Sequence, residues 1–445
     1  MDTDHPPRHS RGVQSQSPPP PTGRFAWASR NFRIQTAATV VSGLGNAGAP
    51  IATAFAILDG GGSTADVGYV TAARLLPTVL LLVIGGALAD RLPRHHVMVG
   101  ANLFSAVSQG ALALLVLTGE PTLWQLMLFS AGAGAGYAFY SPASGGMILE
   151  SVTPEHAARA FSVYRMGFNG AQIGGAALGG ALTAAVGAGW VLALDAACFL
   201  AAAALRFLLE PQAPSAPAVD GGMLRDLREG WQEFSSRRWL WVIVLQFSVL
   251  VACVGAVEAV YGPAVAKEQL GGARDWGLAM AAYGVGLVAT GVLMVRWQPR
   301  RILLVGNWGV FLFGVPALAL AVSAPLPVLC AAMFLSGVGV TVFGVNWMIA
   351  LQQEIPAEAF SRVAAYDELG SLSLAPLGTA LAGPAADLLG LSGALWTCAV
   401  VSLVLSAAVL LEPQVRRLSR RPAEPPADVL PEPVTASEPG AVAAQ

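Results

Sequence analysis

Charge is what this chain has least of. Only 12% of its 445 residues are Asp, Glu, Lys or Arg, against roughly 25% in a soluble globular protein. Apolar residues make up 55%, and mean hydropathy is +0.60. A water-soluble fold has no use for that much apolar surface. Lysine is almost missing: of 25 basic residues, only Lys267 is a lysine. The cysteines, Cys198, Cys253, Cys330 and Cys398, all fall in apolar runs without metal-ligand spacing, and they read as small packing residues. The histidines, His5, His9, His95, His96 and His156, lie in tails or loops, and the His95-His96 pair has no ligand partner at helical spacing. There is no Gly-x-x-x-x-Gly-Lys loop to cradle a phosphate, so direct ATP hydrolysis is not expected. The basic residues are scattered and form no nucleic-acid patch. The chain is therefore expected to be no enzyme and to carry no metal or cofactor. Its first 33 residues lack the short apolar core of a signal peptide. They are rich in Pro, Ser and Arg and are expected to be disordered, as is the C-terminal tail.

What is present is a series of long apolar runs. A helix needs about 20 such residues to cross a bilayer, and helices are expected because lipid obliges each segment to satisfy its own backbone hydrogen bonds. The runs fall at roughly 34–58, 67–89, 97–118, 122–148, 160–186, 189–209, 239–265, 276–296, 301–322, 326–350, 362–388 and 392–411. They predict an all-α membrane protein with twelve transmembrane helices in two pseudo-symmetric six-helix bundles. The expected organisation is a disordered tail over 1–30, a first bundle over 31–209, and a linker over 210–238 with a short amphipathic helix (Leu224, Leu227, Trp231, Phe234). A second bundle over 239–412 and a disordered tail over 413–445 complete it. Trp231 and Trp239 are placed to sit among lipid headgroups.

Arginine fixes the expected orientation. Arg91, Arg94, Arg159, Arg225, Arg228, Arg237, Arg238, Arg296, Arg300, Arg301 and Arg362 fall in loops on one side, with both tails. The opposite loops hold only Lys267 and Arg274. Basic loops face the cytoplasm, so both termini are expected to be cytoplasmic in a multi-pass inner-membrane protein.

The stretch from Gly85 to Arg94 is the most specific. Gly86, Leu88, Asp90, Arg91 and Arg94 match the pattern Gly-x-Leu-x-Asp-Arg-x-Gly-Arg; Pro93 stands at the glycine position. Gly85 and Gly86 suit a close helix approach. Asp90 ends a helix where a lone carboxylate is costly unless paired, and Arg94 offers a planar fork to a neighbour. A charged loop that merely obeys the positive-inside bias would look much the same. The stretch resembles the signature between the second and third helices of the major facilitator superfamily. Two parallel six-span repeats are that family's layout. Here Arg91/Arg94 and Pro154/Arg159 recur as Arg296/Arg301 and Pro356/Arg362, at an offset of about 200 residues. Ser42 to Gly45, Ala72 to Pro77 and Leu227 to Trp231 are similar to the macrolide-efflux and enterobactin-exporter branch, except that Asn46 stands where that branch often has Asp. The resemblance implies that Gly86, Asp90, Arg91 and Arg94 form a latch between the second and eleventh spans in the outward-open state. It also implies drug or siderophore export driven by proton inflow.

The fifth span carries a small-residue stripe, Gly170, Gly174, Gly175, Gly179 and Gly180. Its first reading is tight helix packing; it also resembles an antiporter signature, with Ala176 where proline is usual. Ionisable residues inside spans are rare, costly and often functional. Arg74 and Arg165 are the cations read as lying well inside spans. Arg74 lies about 10 Å from the outer end of its span, at about 1.5 Å per residue. Asp195 is at similar depth, Glu258 is near the outer end of span seven, and Asp367 and Glu368 enter span eleven from the inside. Arg74 with Asp195, and Arg165 with Asp367 or Glu368, are candidate pairs; buried structural ion pairs are the alternative. Asp195, Glu258, Asp367 and Glu368 are the candidate proton-coupling groups. Tyr137, Tyr140, Phe168, Asn169, Gln172, Phe343, Asn346 and Trp347 could line a substrate cavity, although each also suits ordinary helix packing. The expected function is proton-coupled export of a small amphipathic molecule by a monomeric transporter whose partners are substrate, protons and lipid. The same helices would serve an importer or uniporter. A membrane-embedded enzyme or sensor would need a cluster of polar catalytic groups at one face, and the sequence has none.

Overall fold

A computed structural model describes residues 28–119, 121–210 and 223–421. Its helices are, in order, α1 (Arg30–Asp59), α2 (Thr64–Arg91), α3 (Arg94–Thr118), α4 (Leu123–Glu150), α5 (Ala157–Val186) and α6 (Ala188–Phe207). Then follow α7 (Met223–Ser236), α8 (Arg238–Ala256), α9 (Gly262–Gln269), α10 (Ala273–Arg296), α11 (Ile302–Val310) and α12 (Val315–Ala321). The last are α13 (Leu326–Glu354), α14 (Ala357–Leu372), α15 (Ala375–Val409) and α16 (Pro413–Arg417). No sheet forms among the described residues; a single antiparallel bridge joins Arg301 to Ser419.

Local chemistry sets the turns. Ser63 starts α2 with a capping box: its hydroxyl accepts from the Asp66 N–H at 3.2 Å, and the Asp66 carboxylate accepts from the Ser63 N–H at 2.8 Å. Between α5 and α6 the chain reverses through Gly187 at φ 92°, which only glycine adopts without strain. Nine stretches among the described residues are long and apolar enough to cross a membrane. One of them, Arg362–Val409, passes through a break at Gly390 (φ 74°). Two further helices, α4 and α5, match the others in length, but glycine and polar residues dilute them. Together these elements accommodate twelve crossings. Three spans are not continuous α-helix. A π-helical turn, Val257–Tyr261, joins α8 to α9; a 3₁₀ turn, Phe311–Gly314, joins α11 to α12; and α14 breaks before α15.

Packing divides the chain into two sets. In the first half α1 packs on α5 and α6, α2 on α4, and α3 on α4 and α6. In the second half α10 and α11 pack on α13, and α8 and α12 on α15. The halves meet through α5 with α10 and α2 with α15. These are spans five with eight and two with eleven, so exchanging the halves converts one contact into the other, as a pseudo-two-fold axis requires.

The meeting points lie toward the short-loop end, here called the far face, away from the arginine loops. Gly180 abuts Gly277 and Ala273, Gly284 abuts Ile173, Gly68 abuts Thr379, and Gly383 abuts Ala65. A single apolar cluster there draws on both halves, including Phe55, Val67, Val191, Val260, Trp276 and Leu395. Toward the arginine-rich face the core is split. Val97, Met98, Ala143 and Met147 cluster within the first half, and Trp239, Ile243, Phe343 and Trp347 cluster within the second. Among the described residues the core is continuous between the halves at the far face and split at the arginine-rich one.

Two sequence expectations change here. Trp239 is not a headgroup anchor: it is 5% exposed and meets Trp347 edge-on at 5.5 Å, because the start of α8 is covered by the chain after α15. Trp231 is exposed and packs beside Tyr366 of α14 at 5.6 Å. The beginning of the C-terminal tail is structured. α16 follows α15, and Arg421 pairs with Glu354 at 2.8 Å. The expected disorder over 1–27 and 422–445, and the front of the linker over 211–222, lie outside the described residues.

Candidate functional site

A cavity of about 480 Å³ opens between the halves. Its walls come from α1 (Asn46, Pro50), α2 (Arg74), α5 (Phe168, Asn169, Gln172), the π-turn (Glu258) and α10 (Trp276, Tyr283). Apolar and aromatic groups dominate, with a few polar groups converging, as in small-molecule sites generally. Glu258 is the one carboxylate among its described lining residues, and Arg74 stands on the other half's wall. The π-turn is what places Glu258 there. Inserting a wider turn re-aims the side chains that follow it, and π-turns recur at functional sites. Asn46 accepts from Arg74 Nη2 at 2.7 Å and so fixes the guanidinium in the wall. The Gln172 Oε1 atom is buried without a hydrogen-bond partner.

The expected charge pairs are not made. Arg74 bonds Asn46, while Asp195, fully buried, accepts from Gln109 at 2.6 Å. Its other oxygen has no hydrogen-bond partner and lies against Gly45. Arg165 is exposed and sits over the Phe161 ring at 5.4 Å. Asp367 accepts from Trp347 Nε1 at 2.8 Å and from Ser371 at 3.5 Å, and Glu368 is exposed. For Arg165 the reason is the split core: among the described residues, spans five and eleven do not pack on one another at the arginine-rich end.

The expected cavity residues separate into three groups. Phe168, Asn169 and Gln172 line the central cavity. Tyr137 and Tyr140 border a small pocket of about 30 Å³ inside the first half, which Phe168 and Asn46 also touch. Phe343, Asn346 and Trp347 do not face the cavity. They are 5%, 0% and 8% exposed in the core of the second half, where Phe343 stacks on Phe247 at 4.2 Å.

Of the latch residues, Asp90 and Arg91 end α2, and their side chains lie outside the described residues. Arg94 reaches from the start of α3 to Gly146 of α4. Gly85 lies against Ala138 and Phe139 of α4, whereas nothing lies within 4 Å of where a Gly86 Cβ would be. The glycine stripe of α5 divides similarly. Gly175 and Gly179 meet α1 at Leu44 and Gly48, Gly180 meets α10 at Gly277, Gly174 has ordinary contact with Leu44, and Gly170 borders open space.

One buried cation escaped the sequence reading. Arg206 falls in the last turn of α6, where it resembles a membrane-flanking residue, yet it is fully buried. It donates to Gln35 at 3.1 Å, to Thr39 at 3.0 Å and to the Tyr140 hydroxyl at 2.8 Å. Gln35, a polar residue one turn into an apolar helix, was the available signal.

Two matching halves, a cavity between them and one sealed mouth define a membrane transporter of the major facilitator type. The transmembrane secretion effector family matches residues 23–440, and the chain belongs to it. It is 30% identical over 406 residues to the multidrug efflux pump Tap of Mycolicibacterium fortuitum, covering 86% of this chain and 95% of that protein. Among solved structures, the nucleoside transporter NupG superposes with a TM-score of 0.68 at 12% identity, covering 86% of this chain and 98% of that one. A bacterial homologue of the human lysosomal transporter Spinster, inward-facing and unoccupied, gives 0.65 at 16% identity, covering 88% and 98%. These likenesses show a shared fold.

Proposed function

We propose that the protein exports a small amphipathic molecule by alternating access, driven by protons flowing inward. The observation that carries this reading is the cavity itself: aromatic and apolar walls, with Glu258 alone supplying a carboxylate among the described lining residues. A carboxylate that alternates between two aqueous sides can hold a proton on one and release it on the other, provided its surroundings change with the conformational state. The efflux activity named for the Tap relative supports the direction. With the arginine loops cytoplasmic, the described conformation is open inward, ready to load substrate. The halves over 31–209 and 239–412 then rock around the cavity. Asp90, Arg91 and Arg94 close the cytoplasmic side against span eleven in the opposite state. Asp195 and Asp367, each already held by a neutral donor, serve structure in this reading, and Glu258 carries the coupling proton.

The test is transport by purified protein in vesicles with an imposed pH gradient, using a fluorescent lipophilic cation as probe. Wild type should concentrate the probe when the gradient is imposed. Glu258→Gln should abolish gradient-driven accumulation while probe exchange at equal concentrations continues. Gradient-driven accumulation by Glu258→Gln at the wild-type rate would refute the assignment.

A further inference from the structure

The chain's single lysine sits on the sealed far face and crosses from one half to the other. Lys267 lies in the last turn of α9, in the second half. Its ammonium pairs with the Asp59 carboxylate at 3.0 Å. It also donates a short hydrogen bond to the Leu58 carbonyl. Both acceptors belong to the C-terminus of α1, in the first half. The last carbonyls of α1 also accept from the backbone of Gly60, Gly61 and Gly62, but a helix C-terminus still carries partial negative charge, so one cation there meets a carboxylate, a carbonyl and the helix dipole together. The rest of the seal is of a different kind. Gly180 on Gly277, Gly68 on Thr379 and Phe55 near Gly272 are van der Waals contacts between small or apolar groups.

We infer that Lys267, with Asp59 and the end of α1, is the lock of the far gate, holding the inward-open state until the halves rock. The choice of lysine in an arginine-rich chain fits the task. A compact ammonium on a flexible stem can serve two acceptors from one position and leave both for water, whereas a guanidinium fork favours a fixed bidentate geometry. Lys267 and Asp59 are partly exposed, at 38% and 64%. The lock is therefore a modest bias and not a weld, as a gate that opens every cycle requires. Exposed ion pairs shift equilibria by about two- to fivefold.

The inference rests on the alternating-access reading, and the experiment separates the two. Full-length protein in lipid vesicles is spin-labelled at two far-face loop positions, one in each half, and the distance distribution is measured. Lys267→Gln and Asp59→Asn should each raise the population with a wide far mouth about two- to fivefold, and the double variant should go no further than either single one. The exchanged pair Lys267→Asp with Asp59→Lys should bring the population back toward wild type. Unchanged populations in both single variants, or additive effects in the double variant, would overturn the lock while leaving alternating access intact. A far mouth that never widens, in wild type or in any variant, would overturn both.

Discussion

Substituting Gly180 by valine tests the seal most directly. A Cβ at this position would overlap the Ala273 carbonyl and come within 2.8 Å of the Gly277 Cα on α10. Both obstacles are backbone, so neither can rotate away. Overpacking of this kind costs about 1–3 kcal/mol. The clash exists only while α5 and α10 touch, so the whole cost falls on the far-sealed state. A differential of that size changes the ratio of states by about 5- to 150-fold. The readout is Thr183→Cys, one turn further along α5 and buried, in a chain whose native cysteines are replaced by alanine. Its reaction with a membrane-impermeant maleimide should accelerate by on the order of tenfold when valine stands at 180. Gly170→Val is the control: nothing lies within 4 Å of its Cβ site, so the rate should not change. If Gly180→Val labels at the wild-type rate and transports normally, the far seal is not made by this helix contact.

Other outcomes follow from the same structure. Asp90→Asn should slow transport at unchanged membrane abundance, checked by vesicle flux and blotting, because the charged end of α2 is the proposed inner latch. Arg206→Lys keeps the charge but loses the fork that serves Gln35, Thr39 and Tyr140. It should lower stability by about 1–3 kcal/mol, read as a depressed melting temperature in detergent. An enzyme reporter fused after Glu412 that is active only in the periplasm should give no signal in the proposed orientation, which puts the arginine loops and the C-terminal tail on the cytoplasmic side.

The spans were legible because bilayer thickness imposes a length that apolar runs must meet, and Glu258 was visible as one of four candidate carboxylates because hydrocarbon penalises each of them. What hydropathy could not show was the way the spans break. The π-turn over Val257–Tyr261 reads as ordinary apolar helix, yet it decides where Glu258 points. Partnership was equally hidden. Depth along a span placed Arg74 near Asp195, but their direct hydrogen-bond partners are Asn46 and Gln109. Phe343 and Trp347 illustrate a third limit: an aromatic side chain in an apolar helix looks the same whether it faces a cavity or a core. Arg206 shows the reverse, a buried residue disguised by its position at a helix end.

The split core also sets the mechanical scale of the molecule. With the described contacts between the halves gathered toward the far face, each long helix is a lever whose fulcrum lies close to one end. A helix of 30 residues, such as α1 or α5, is about 45 Å long at 1.5 Å per residue. Tilting it by about 10° around that fulcrum sweeps its other end through about 8 Å at this length. That travel is wider than a drug-sized ring, yet near the fulcrum the same tilt moves side chains by only about an ångström. Small residues where the levers cross, and bulky ones where they swing free, are the geometry such a hinge demands.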